Sequence, residues 1–63
     1  MTYAELIELV YSTATGNISF DMEGTGYLFE FQDKSNRDAV AIALTREEVA
    51  VERRGDLELF VQL

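Results

Sequence analysis

"TREEVAVERRGDLELF", residues 45 to 60, decides the fold. Thr45-Arg46-Glu47-Glu48 has the look of a helix start, with two acids in the first turn where the helix dipole favours them. Val49-Ala50-Val51 has the look of a strand interior. A helix here would hold only those three adjacent apolar residues, which cover one helical face poorly. As a strand, Val49 and Val51 face a core while Glu48, Ala50 and Glu52 face away, and β-branched residues favour that state. The strand reading is the stronger, and it makes Thr45 to Glu47 a hairpin turn.

Working back towards the N-terminus, Ala39-Val40-Ala41-Ile42-Ala43-Leu44 alternates large and small residues and reads as another strand, after the polar connector Asp33 to Asp38. Before that connector, Ile18, Phe20 and Met22 alternate with Ser19, Asp21 and Glu23, and Tyr27, Phe29 and Phe31 alternate with Leu28, Glu30 and Gln32. Gly24-Thr25-Gly26 joins these two runs as a hairpin. Beyond Gly55-Asp56, Leu57, Leu59, Val61 and Leu63 alternate with Glu58, Phe60 and Gln62.

Only the beginning of the chain is helical by period. Thr2-Tyr3-Ala4-Glu5 is a capping box, and Tyr3, Leu6, Ile7, Val10 and Ala14 follow at helical spacing until Gly16. The expected architecture is one α+β domain over residues 1–63: an N-terminal helix at about 3–14 packed on one face of a five-stranded antiparallel meander.

Composition narrows the function. The 63 residues contain no Cys and no His, which removes disulfides, thiolate nucleophiles and the commonest general base. Serines without an activating base, and carboxylates on a fold too small to enclose a deep pocket, argue against an enzyme. The loop "DKSNRD" has oxygen ligands but lacks the Gly and Glu of a calcium loop, and "EGTG" lacks the third Gly and following helix of a dinucleotide site. No metal and no cofactor is expected. The chain carries 12 Asp and Glu against 5 Lys and Arg, net −7, so direct binding to nucleic acid or to an anionic membrane is disfavoured. No apolar run is long enough for a bilayer and the N-terminus is unlike a secretory signal, so a cytoplasmic protein is expected.

The strand registers place Asp21, Glu23, Leu28, Glu30, Glu48, Glu52, Glu58 and Phe60 on the outer face of the sheet, with Ala39, Ala41, Ala43 and Ala50 among them. A small apolar centre ringed by acids suits the basic surface of another protein. The expected function is a non-catalytic acidic binding module, a stoichiometric inhibitor of a nucleic-acid-handling enzyme of the phage counter-defence, DNA-mimic or immunity type. The alternative is a small homo-oligomeric structural or accessory subunit. Leu57, Leu59, Val61 and Leu63 would lie on one side of an unprotected terminal edge strand, from which a two-fold homodimer is expected.

Overall fold

A computed structural model describes all 63 residues. The elements are α1 (Tyr3–Thr13), β1 (Ser19–Glu23), β2 (Gly26–Glu30), α2 (Lys34–Arg46), β3 (Ala50–Arg54) and β4 (Glu58–Gln62). The strands form one antiparallel sheet in the order β1-β2-β4-β3. The class is α+β as expected, but with two helices and four strands. No helix is long and apolar enough to cross a membrane.

α1 begins as its capping box dictates: the Thr2 hydroxyl accepts the Glu5 amide at 3.2 Å, and the Glu5 carboxylate accepts the Thr2 amide at 2.8 Å. The opening stretch is a strand from Ala50, so β3 stands. Thr45 and Arg46, however, close a helix, and Glu47-Glu48 make the turn.

The correction lies in residues 34–46. Their alternation suggests a strand, yet they form α2, capped by Asp33, whose carboxylate accepts the Asn36 amide at 2.9 Å. The buried positions are Arg37, Val40, Ala41 and Leu44, which is helical spacing with a cation at its first place. Three alanines in six residues also favour a helix and disfavour a strand. Ile42, which the strand alternation would put beside Val40 and Leu44 on one face, is exposed instead.

Two consequences follow for the sheet. With residues 39–44 removed, no meander forms, and β4 crosses back to pair with β2. The expected terminal edge strand is therefore an interior one. Leu59 and Val61 are fully buried in the core, and Leu57 lies in the turn before β4, so the four residues do not form an apolar edge.

The chain is two αββ units in tandem. Tyr3 and Lys34 open the helices and Ser19 and Ala50 open the outer strands, each 31 residues apart; Gly26 and Glu58 open the inner strands, 32 apart. The extra residue sits in the second hairpin, whose turn is Gly55-Asp56-Leu57 where the first has Gly24-Thr25. Leu28 pairs directly with Phe60, its own equivalent, so a pseudo-two-fold axis passes between them. Gly24 and Gly55 are the one identical residue at equivalent positions, and both have positive φ, at 61° and 58°. Both helices lie on one face, where Leu6, Val10, Val40, Ala41 and Leu44 close the core against Phe29, Leu59 and Val61.

Candidate functional site

Strand pairing fixes the opposite face. Residues directly across an antiparallel ladder share a side, and Phe29, Leu59 and Val61 point to the helices. The other side must carry Ser19, Asp21 and Glu23 of β1, Gly26, Leu28 and Glu30 of β2, Glu58, Phe60 and Gln62 of β4, and Ala50, Glu52 and Arg54 of β3. No helix covers this side.

Of the eight residues expected at a partner surface, Asp21, Glu23, Leu28, Glu30, Glu52, Glu58 and Phe60 share this face. Glu48 does not; it occupies the α2–β3 turn with φ 62°. Ala39, Ala41 and Ala43 belong to α2, on the other side of the sheet, while Ala50 is on the outer face.

Arg54 divides the face in two. Its guanidinium lies 4.5 Å above the centre of the Phe60 ring and pairs with Glu52 at 2.6 Å and with Glu23. Glu23 and Arg54 stand at opposite corners of the four-stranded sheet, so only a strongly twisted and coiled sheet brings them together. Beneath the guanidinium, the Phe60 ring covers Gly26: a Cβ built there would lie 2.2 Å from the ring and 2.8 Å from the Val61 carbonyl. The stack therefore runs from glycine backbone to aromatic ring to cation to carboxylates. The hydrogen bonds that Arg54 donates to Glu52 and then to Glu23 raise its pKa above its already high ordinary value. Arg54 was absent from the expected surface, although the alternation through Ala50 and Glu52 places it there.

The other half of the face is acidic and open. Asp21, Glu30 and Glu58 surround Leu28, and with Ser19 and Phe20 they line a shallow hollow of about 330 Å3. Glu30 and Glu58 are direct cross-strand partners, an arrangement that costs stability because like charges meet. Arg54 is the β3 partner of Glu58, yet its ion pairs go to Glu52 and Glu23 instead. The Glu30 and Glu58 carboxylates are thus left without a cation, while Glu23 and Glu52 share the single guanidinium of Arg54. No group of three or more acidic side chains converges tightly enough to hold a metal ion.

Comparison with protein-family models, with curated proteins and with solved structures finds no match for this chain.

Proposed function

We propose that this protein is a non-catalytic binding module whose outer sheet face docks on a basic surface of another protein. In its sharper form, the partner is a nucleic-acid-handling enzyme, and occupation of its basic cleft inhibits it stoichiometrically. The observation that carries the reading is the facing pair of exposed Glu30 and half-buried Glu58 beside Leu28, on a helix-free face and without a cation. Two carboxylates kept together at a cost to folding, around an apolar centre, suit a partner that brings lysine or arginine to them. The absence of His and Cys supports a role in binding over one in chemistry.

The test begins with a partner captured from the source cell on immobilised protein, followed by affinity measurements against ionic strength. Affinity should fall steeply with salt, and Glu30→Gln with Glu58→Gln should weaken it by about tenfold or more. The unfolding midpoint of the double variant should hold or rise. Equimolar protein should abolish the captured enzyme's activity. An affinity indifferent to both salt and the substitutions would sink the acidic-face reading.

A further inference from the structure

The two edges of the sheet are finished differently. On β3, the helix-facing row is Val51 and Arg53, and Arg53 is clamped to α2 through Asp38 at 3.1 Å. On β1 the equivalent row is Phe20 and Met22, which remain 37% and 62% exposed although they face the helix layer. Every residue of β1 is exposed. Tyr3 of α1, itself 48% exposed, reaches only the near end of this row: its ring lies 6.1 Å from Phe20 and 5.4 Å from Tyr27.

The backbone of β1 is open as well. The hairpin closes through the two-residue turn Gly24-Thr25, with Glu23 paired to Gly26. In such a turn the flanking pair is hydrogen-bonded, so Ser19, Asp21 and Glu23 direct their amides and carbonyls to β2, and Phe20 and Met22 direct theirs to the free edge. The Met22 amide is met by its neighbour's side chain, donating to Asp21 Oδ1 at 2.8 Å. β1 carries no Pro, Lys or Arg to block an incoming strand.

From these features we infer that the β1 edge accepts an extended segment of a partner protein as a fifth strand, and that this segment alternates basic with apolar residues. Side chains of an added strand would fall into two rows. The row on the helix side meets Phe20 and Met22 and must be apolar. The row on the outer side meets Ser19, Asp21 and Glu23, with Glu30 on the next strand, and must be basic. Strand addition also exchanges one bond for another. A carbonyl of the incoming strand takes the Met22 amide, and the released Asp21 carboxylate becomes free to pair with a lysine or arginine beside it. Charge selects this occupant over a second copy, because two copies would bring together chains of net charge −7. The inference rests on the proposed function for the sign of the partner's charge, and on the β1 edge for its place.

Titration of isotope-labelled protein with a synthetic peptide of alternating lysine and valine tests it by NMR. The Phe20 and Met22 amides should shift, show contacts to the peptide backbone, and exchange about tenfold more slowly with solvent. Met22→Lys, which gives β1 a cation where β3 has Arg53, should weaken peptide binding by about tenfold. A glutamate-valine peptide should not bind. Shifts confined to Leu28, Glu30 and Glu58, without protection of the edge amides, would overturn the edge while leaving the acidic-face reading standing. Equal binding of the glutamate-valine peptide would overturn the charge-matched partner. A peptide-free dimer in sedimentation, protecting the same two amides, would give the edge to a second copy. Absence of any shift would overturn strand addition altogether.

Discussion

The first αββ unit and the second share a backbone plan and almost no chemistry. Where α1 buries Leu6, α2 buries Arg37, 3% exposed, with Nε on Asp38 at 2.8 Å and a terminal nitrogen on the Gly55 carbonyl at 2.8 Å. Where Asp38 joins Arg37 to Arg53, the first unit has Ile7, Leu6 and Met22. One seam between helix and outer strand is ionic, and it ties β3 to α2. The other is aromatic and apolar, and it leaves β1 half uncovered. The unit's shape therefore does not depend on what fills this seam. It depends on features both halves keep: a capped helix start at Thr2 and at Asp33, a left-handed glycine at each hairpin, and one apolar row on each inner strand.

The largest test of that statement exchanges the seam residues. Leu6→Arg installs the cation of the second unit in the first, where Ile7 offers no carboxylate, and an unpaired buried charge should cost about 4 kcal/mol or more in urea denaturation. The reverse exchange, Arg37→Leu, should stay within about 1 kcal/mol of the parent, since an apolar group replaces a buried ion. If Leu6→Arg were tolerated, the two seams would be chemically interchangeable.

A smaller effect is expected at the equivalent positions Gly26 and Glu58. Gly26→Ala drives a methyl into the Phe60 ring and the Val61 carbonyl, and should cost about 2 kcal/mol. Glu58→Ala removes the like charge facing Glu30 and should stabilise by about 0.5 kcal/mol. A loss at Glu58 equal to that at Gly26 would mean that the central pair of strands is packed symmetrically about its axis.

The smallest effect is a pH dependence, and it separates the two units. The Arg53 hydrogen bond, with Arg37 also contributing, holds the Asp38 pKa below its ordinary 3.8. Such a group stabilises the fold above its unfolded pKa, and the stabilisation is lost as pH falls through the lowered folded value. The urea midpoints of the parent and Asp38→Asn should therefore differ at neutral pH and converge below 3.8. In the first unit Ile7 stands in place of Asp38, and the carboxyl with a lowered pKa is instead Glu5 at the helix start, held below 4.5 by the backbone amide and then the hydroxyl of Thr2, so Glu5→Gln should behave likewise from 4.5 downward. A gap that widened in acid would reverse the sign for either group.

Much of this was legible in the sequence. The capping box, the β1–β2 hairpin and the strand beginning at Ala50 each carry a local signal that tertiary structure did not override. α2 is hidden in the sequence, because its helical stripe begins with Arg37, a cation buried by Asp38 and the Gly55 carbonyl. Without that residue the stripe shortens to Val40, Ala41 and Leu44, and the alternating alanines then imitate a strand. That error displaced β4 to an edge, and with it the apolar surface expected at Leu57, Leu59, Val61 and Leu63. Glu48 and the alanines of α2 left the expected outer face, while Asp21, Glu23, Leu28, Glu30, Ala50, Glu52, Glu58 and Phe60 share it, because side-chain period depends on each strand's own alternation and not on strand order. Its internal division did not show, since the ion pair between Glu23 and Arg54 depends on sheet twist. The tandem plan was equally hidden: Gly24 and Gly55 are too little to reveal a repeat, and a one-residue insertion separates the second pair of strands.

The pseudo-two-fold also fixes where Met1 and Leu63 lie. Between Glu30 and the cap at Asp33 the first unit passes to the second through Phe31 and Gln32. Between Gln62 and the cap at Thr2 the equivalent stretch would be Leu63 followed by Met1, again two residues. Met1 and Leu63 accordingly line one hollow beside Val49 and Gln62. The described chain is thus a nearly closed ring opened at one of two equivalent junctions. Head-to-tail cyclisation would need little or no added linker, and cutting instead at residues 31–32 would give a permuted chain with its second unit first.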